Sequence, residues 1–107
     1  MPSKLLTRKG GRVYVASNGK KVKVGMSSRG KCVARFRELE RDFEFEAKET
    51  WMAERRYDFR IIEKMAHKKL SEWRLGCEFF DVKMEHAIDA VKQCMAELDA
   101  SGFSGDV

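Results

Sequence analysis

The stretch that decides the fold is Arg12-Val-Tyr-Val-Ala-Ser-Asn-Gly-Lys-Lys-Val-Lys-Val-Gly25. Two runs of alternating apolar and polar residues flank Asn18-Gly19, the strongest short-range signal for a two-residue hairpin turn. Counting outward from that turn places four valines on one face, which we expect to face the core. The predicted partners are Ser17 with Lys20, Ala16 with Lys21, Val15 with Val22, Tyr14 with Lys23 and Val13 with Val24. Tyr14 and Lys23 would then lie opposite each other on the outer face, with Cβ atoms roughly 4.5–5.5 Å apart.

The length and the cysteines indicate one soluble domain. A chain of 107 residues suits a single compact core. Cys32, Cys77 and Cys94 are widely spaced without a CxxC pair, so we expect reduced structural thiols. The amino terminus lacks the apolar run of a signal peptide, and no segment approaches the ~20 apolar residues of a membrane span. We therefore expect a cytoplasmic protein that has no membrane partner.

Basic residues are concentrated at the start of the chain. The net charge is +5, and residues 1–37 contain 11 Lys and Arg but no acid, whereas the remainder has 11 basic and 17 acidic residues. A basic segment of this kind attracts a polyanion, whose phosphates supply salt-dependent, sequence-independent affinity. The alternative is a solubilising surface balanced by acids elsewhere. Charge alone does not separate the two.

Periodicity predicts three helices and one further strand. Apolar residues recur at helical spacing in three segments, and they alternate with charged residues in a fourth. The predicted elements are a helix at about 31–41, a strand at about 43–50, a helix at about 53–70 and a helix at about 84–98. Residues 73–82 fit either a short strand or a packed loop, because Gly76 interrupts them.

The predicted order β-β-α-β-α-α makes the chain an α+β domain, with a small three-stranded antiparallel sheet and about three helices on its apolar face or ends. We expect a flexible basic arm over residues 1–11, a single domain over 12–100 and a loose tail over 101–107. The large aromatic residues could stack on nucleic-acid bases, but their spacing favours core positions. They are Phe43, Phe45, Trp51 and Trp73.

Five patches within residues 12–92 together resemble the GIY-YIG nucleases and, within them, the branch called T5orf172. The patches are Val13-Tyr14-Val15, Val22-Lys23-Val24-Gly25, Gly25-Met-Ser-Ser-Arg29 with Arg35 after it, Ile62-Glu63-Lys-Met-Ala-His67-Lys-Lys-Leu70, and Gly76-Cys-Glu78-Phe79-Phe80. The resemblance implies a GIY-YIG-like fold. It also implies a metal-dependent endonuclease that hydrolyses nucleic-acid phosphodiester bonds, cellular or phage-encoded and acting in the host cell.

Carried over onto this sequence, the resemblance implies that Tyr14 is the catalytic tyrosine and Arg35 the catalytic arginine. It implies that Glu63 is the glutamate that holds one Mg²⁺ or Mn²⁺. The chain departs from the family pattern at two places. Lys23 stands where many relatives have a second tyrosine, although this looks like the T5orf172 branch and some restriction enzymes. Arg12-Val13 replaces the usual Gly-Ile before the first tyrosine.

The chemistry of these side chains suits phosphodiester hydrolysis, because charge grows on the phosphoryl and leaving oxygens in the transition state. An ammonium beside a phenol favours the phenolate, so Lys23 opposite Tyr14 would help Tyr14 to activate or orient water. Arg35 offers a planar fork for phosphate oxygens, and Glu63 would be the sole carboxylate on the hard divalent ion. His67, one turn after Glu63, would bind phosphate or assist Glu63.

Each of these residues also has a structural interpretation. Tyr14 and Lys23 could be a surface pair, and Arg35 could face solvent. Glu63 could form an ion pair on the helix surface, and His67 could be a structural histidine whose hydrogen bonds are satisfied. Glu78 is expected only to end a strand.

The predicted partner is DNA, bound through phosphates along the basic arm and hairpin, with RNA left open. The predicted nucleic-acid-binding residues are Arg12, Lys20, Lys21, Arg29 and Lys31. Double-strand cleavage by one site per chain would favour a homodimer or two successive nicks. Two other function classes stay open. One is a non-catalytic nucleic-acid-binding module of the same fold, and the other is a phage-type inhibitor that places its basic face on an acidic partner.

Overall fold

A computed structural model describes residues 10–28, 37, 38, 41, 45–76 and 78–101. The elements in chain order are β1 (Arg12–Ser17), β2 (Val22–Ser27), β3 (Glu49–Met52), α1 (Phe59–Lys69), a 3₁₀ turn (Ser71–Trp73), β4 (Arg74–Gly76), β5 (Phe79–Phe80) and α2 (Met84–Ala100). The strands form one antiparallel sheet in the order β3-β1-β2-β5-β4. The predicted α+β class is therefore confirmed, but the described residues form a sheet of five strands rather than three, with two helices of known bounds rather than about three.

The predicted hairpin forms, but its register differs from the prediction by two residues. Asn18 Oδ1 accepts hydrogen bonds from the backbone N–H groups of Lys20 and Lys21, each at 2.9 Å. The turn therefore spans four residues, 18–21, with Gly19 in a left-handed conformation at φ 93°. The observed partners are Arg12 with Ser27, Val13 with Met26, Tyr14 with Gly25, Val15 with Val24, Ala16 with Lys23 and Ser17 with Val22.

A shift of two residues keeps every side chain on its predicted face, because side chains alternate with a period of two. The shared face of the four valines is therefore confirmed. The direct pairing of Tyr14 with Lys23 is wrong. Tyr14 lies opposite Gly25 and Lys23 opposite Ala16, so Tyr14 and Lys23 are diagonal neighbours, a relation in which residues are roughly 7–8 Å apart.

Two predicted boundaries also move, because the backbone continues along the edge of β1. The third strand is Glu49–Met52 rather than 43–50, and the N–H of Lys48 donates to the Ser17 carbonyl at 2.8 Å. The helix predicted from residue 53 begins at Phe59, since the backbone before it is still hydrogen-bonded to the β1 side of the sheet. The N–H of Ala53 donates to the Val13 carbonyl at 2.9 Å.

The other predictions along the chain have mixed outcomes. Of the helix predicted at 31–41, Arg37, Glu38 and Arg41 have helical backbone, and the rest lies outside the described residues. The segment that fitted strand or loop contains both β4 and β5. Residues 1–9 and 102–107 of the predicted arm and tail also lie outside the described residues.

The valine face of the sheet carries the larger core. Val13, Val15, Val22 and Val24 pack with the buried side of α1. The apolar stripe at helical spacing expected within residues 53–70 is formed there by Phe59, Ile62 and Ala66, with Leu70 just after the helix. On α2 the fully buried positions are small or β-branched: Ala87, Ala90, Val91 and Cys94. Small side chains allow a helix to approach its neighbours closely, while Trp51 and Trp73 pack at the margin. Within the described residues, neither α1 nor α2 is long and apolar enough to cross a bilayer.

The second face of the hairpin is not an outer surface. Tyr14, Ala16, Phe45 and Phe79 form a second buried cluster there, with Ala47 against it. The Phe45 and Phe79 ring centroids are 5.4 Å apart with the rings tilted by 47°. The hairpin is thus covered on both sides, and a charged residue on its second face must find a partner inside the protein.

Arg56 joins three parts of the chain. Its guanidinium donates to both carboxylate oxygens of the buried Asp58, at 2.7 and 2.9 Å, and to Asp99 near the end of α2 at 2.8 Å. Its backbone exchanges hydrogen bonds with Gly11 at 2.9 Å. The hydrogen bonds to Asp58 and Asp99 raise the pKa of Arg56, and Arg56 in turn lowers the pKa of Asp99. This network ties α1 to α2 beside the start of β1.

Candidate functional site

Tyr14 is fully buried, and its ring lies across the backbone of Gly25. A Cβ at position 25 would be 2.5 Å from Tyr14 Cζ, closer than real Cβ contacts allow. The absence of a side chain at Gly25 is therefore what lets the phenol lie against β2. The Tyr14 hydroxyl oxygen is itself shielded from bulk solvent.

Lys23 is 2% exposed, and its ammonium forms an ion pair with Glu78. The pairing of β2 with β5 explains the contact, because Lys23 lies opposite Phe79 and Glu78 is the preceding residue. The Lys23 Nζ also lies 5.2 Å from the centroid of the Phe79 ring. The buried charge is thus satisfied by one carboxylate and one aromatic face.

His67 of α1 binds the backbone of the same strand. Its Nε2–H donates to the Val24 carbonyl at 2.7 Å, and its ring centroid lies 5.3 Å from that of Phe80. The N–H of Val24 donates to the Glu78 carbonyl at 3.1 Å, so both backbone polar groups of Val24 are bound by segments distant in sequence. A carbonyl only accepts, so this bond places a proton on Nε2, and Nδ1 is the ring nitrogen that takes no part in it.

Three consecutive residues of β2 therefore bring three distant parts of the chain together. Lys23 contacts Glu78, Val24 binds His67, and Gly25 lies under Tyr14. We call this group the Lys23–Gly25 site.

Glu63 lies one helical turn before His67, on the same side of α1. It is partly buried, and one of its carboxylate oxygens is shielded from solvent. Within residues 10–28, 45–76 and 78–101, no three His, Cys, Asp or Glu side chains group closely enough to hold a metal ion. Glu63 would offer such an ion a carboxylate oxygen, and hard divalent ions such as Mg²⁺ or Mn²⁺ can take further ligands from water or substrate oxygens.

The other predicted residues divide into two groups. Arg29, Lys31 and Arg35 lie outside the described residues. Arg12 donates from Nη1 to the Ala53 carbonyl at 3.1 Å, and Lys21 Nζ lies 4.5 Å over the Phe79 ring. Lys20, at the turn, is exposed.

Glu78 and Gly25 are the two members of the site to which sequence reasoning assigned no role. A buried Lys23 requires an internal anion, but only a covered second face makes Lys23 buried. The sequence therefore contains both partners, but their ion pair could not be predicted before the tertiary structure showed that Lys23 is buried. Gly25 is the last residue of the hairpin stretch, and its tight contact with Tyr14 depends on the observed register.

A family model described as T5orf172 domain matches residues 11–97, which is well over half of the chain. The chain belongs to the T5orf172 family. The matched range includes every residue of the Lys23–Gly25 site and Glu63, and it ends within α2. No curated protein and no solved structure matches this T5orf172 protein. Membership is compatible with a nuclease-like or nucleic-acid-binding module.

Proposed function

We propose that this T5orf172 protein is a metal-dependent endonuclease of the GIY-YIG type that hydrolyses DNA phosphodiester bonds. The observation that carries the proposal is the convergence of Tyr14, His67 and the Lys23–Glu78 pair on three consecutive residues of β2. Family membership supports it, because the T5orf172 domain is compatible with nuclease-like chemistry.

The roles follow from what each group can donate or accept. Tyr14 would orient or activate the attacking water, and Arg35 would bind the phosphoryl oxygens through its planar fork. His67, held by Val24, would present its Nδ1 to a proton of the substrate or of water. Glu63 would hold the divalent ion, which supplies a Lewis acid for the charge that develops on phosphate oxygens.

Lys23 does not face Tyr14 directly, so its proposed role differs from the expected one of favouring the Tyr14 phenolate. Its ammonium lies against Glu78, so part of its field is neutralised before it reaches Tyr14. In this proposal Lys23 and Glu78 act together, as a neutral pair that supports the strand beneath Tyr14. The effect of Lys23 on phenol ionisation is correspondingly weaker.

A second candidate function is a nucleic-acid-binding module without turnover. The observation that favours it is the burial of Tyr14 and Lys23, which are 0% and 2% exposed. A substrate phosphate must reach the Tyr14 hydroxyl for catalysis, and in this conformation the hydroxyl oxygen is shielded from solvent. Binding without catalysis needs no such access.

Single-turnover nicking of supercoiled plasmid DNA with Mg²⁺ or Mn²⁺ separates the two candidates. The chain offers matched controls: Tyr57→Phe for Tyr14→Phe, and Glu85→Gln for Glu63→Gln, because Tyr57 and Glu85 are exposed elsewhere. We expect Tyr14→Phe to slow nicking by about 100-fold or more, the usual range for a lost acid–base group. Glu63→Gln should slow it by at least about as much, because the divalent ion loses its carboxylate, and the controls should retain the full rate.

DNA binding by the same variants is expected to stay unchanged. Nicking that survives in both Tyr14→Phe and Glu63→Gln would refute the endonuclease mechanism. Salt-dependent binding with no nicking by the unaltered protein would favour the binding module instead.

A further inference from the structure

Most described cations of the hairpin are engaged inside the protein. Arg12 is bound to the Ala53 carbonyl, Lys21 lies over the Phe79 ring, and Lys23 is buried against Glu78. Arg12 and Lys23 therefore have little freedom to reach a phosphate, and Lys21 keeps its charge over the ring but is only partly exposed. The concentration of basic residues in the sequence therefore does not identify the most available basic surface of the fold.

Lys20 at the hairpin tip is exposed, but its surroundings are acidic. It lines an open groove of about 440 Å³ between the turn and the start of α2, together with Glu49, Asp81, Glu85 and Lys83. Three carboxylates beside two ammonium groups repel a polyanion more than they attract it. The tip is thus a poor candidate for the main phosphate contact.

The exposed side of α1 presents the opposite arrangement. Arg60, Lys64 and Lys68 are all exposed and recur every four residues, and we call them the α1 basic stripe. Four residues of an α-helix advance about 6 Å along the axis and turn about 40° past a full circle. The stripe is therefore roughly 12 Å long on one side of the helix, which is the length of duplex axis along which one strand places about three or four phosphates at 3.4 Å each.

The charges of the stripe are available for binding. Among the described residues, neither Lys64 nor Lys68 has an acidic partner. The Arg60 guanidinium lies 5.4 Å from the centroid of the neighbouring Phe59 ring, which orients the side chain without neutralising it. Such cations attract counterions in solution and release them when phosphates take their place.

The stripe also borders the side of α1 that carries Glu63 and His67, because Glu63 lies three residues after Arg60 and one before Lys64. We propose that the α1 basic stripe is the docking surface for the sugar–phosphate backbone of duplex DNA, and that it places a strand beside Glu63. The inference rests on the nucleic-acid-binding part of the proposed function. It does not require cleavage.

Binding to a fluorescent DNA duplex is measured in EDTA, so that catalysis plays no part. The test variant is Arg60→Gln/Lys64→Gln/Lys68→Gln. The charge-matched control is Lys48→Gln/Lys83→Gln/Lys92→Gln, which removes three exposed lysines from other elements. We expect the stripe variant to bind roughly 10- to 100-fold more weakly, with a slope of log K against log salt that is smaller by about 2–3. The control should stay within about threefold of the unaltered protein.

Lysine acetylation of the unaltered protein, read by mass spectrometry, gives a second measurement that does not depend on a variant folding. DNA should protect Lys64 and Lys68 but not Lys48, Lys83 or Lys92. Equal losses of affinity in the two triple variants, or equal acetylation of Lys64 with and without DNA, would overturn the proposal. Failure of the unaltered protein to bind DNA would overturn it too, and would point to an acidic protein as the partner. Tight binding without nicking would support the stripe while refuting the endonuclease.

Discussion

Replacing Glu78 by glutamine should destabilise the protein more than replacing Lys23 by methionine, although both changes break the same ion pair. The two side chains differ in exposure: 3% for Lys23 and 32% for Glu78. Glu78→Gln leaves an ammonium inside the second apolar cluster without its anion. Lys23→Met leaves a carboxylate that water can reach, and it keeps an apolar stem of similar length in the cluster.

The magnitude follows from the cost of an unpaired buried charge. Removing one partner of a buried pair typically costs 3–5 kcal/mol. Two remaining contacts reduce this cost, because the glutamine carbonyl can accept one hydrogen bond and the Phe79 ring stays 5.2 Å from the ammonium. We expect a loss of about 2 kcal/mol in the free energy of unfolding for Glu78→Gln, and less than about 1 kcal/mol for Lys23→Met.

The double variant should be about as stable as Lys23→Met alone, because no buried ammonium remains. Urea unfolding at pH 7, followed by tryptophan fluorescence and circular dichroism, gives all four free energies of the double-mutant cycle. A coupling energy of about 1–2 kcal/mol that changes little with added salt is the expected result. Additive losses, or a larger loss for Lys23→Met than for Glu78→Gln, would refute the assignment of Lys23 as the buried partner.

Three further outcomes are expected. Gly25→Ala should lower the free energy of unfolding by about 1–3 kcal/mol in urea, because its Cβ meets the Tyr14 ring, and a loss under about 0.5 kcal/mol would argue against that close approach. Cys94 is tested in a variant whose other two cysteines are changed to serine. Its thiol should react with a disulfide reagent at least about 100-fold more slowly in the folded protein than in guanidinium at the same pH, because burial raises the pKa of Cys94 to about 11 from 9.0. Equal rates would contradict the burial of Cys94. Arg56 lowers the pKa of Asp99, so the ion pair stabilises the protein above the unfolded pKa of about 3.9, and this stabilisation is lost as pH falls through the folded pKa. Asp99→Asn should therefore be less stable than the unaltered protein at pH 7 and equally stable near pH 2. A difference in stability that persists in acid would contradict the ion pair.

Several features were predictable because they depend on local periodicity. The alternation around Asn18-Gly19 was sufficient for a hairpin with its valines on one face, and the stripe from Phe59 to Leu70 was sufficient for a buried face of α1. Both signals remain valid when a boundary or a turn changes length, because a shift of two residues in a strand preserves its faces.

The helix start and the register were not predictable from local pattern. The residues before Phe59 have helical spacing, yet their N–H groups bond to the β1 side of the sheet, so the tertiary partner decides the backbone conformation. The turn was extended by one side chain, Asn18, whose Oδ1 accepts two backbone hydrogen bonds. A competition between hydrogen-bonding partners of similar strength is settled by the whole structure.

The sequence by itself determined the two strands around Asn18-Gly19, the face of each side chain, and the spacing of Glu63 and His67 on one side of a helix. Those properties are carried by bonds and repeats within a few residues. Only the tertiary structure decided that Tyr14 lies over Gly25, that Lys23 is buried with Glu78, and that the available cations of the described fold include the α1 basic stripe. These depend on which distant segment covers which surface, and burial decides whether a charge needs an internal partner or remains available to a ligand.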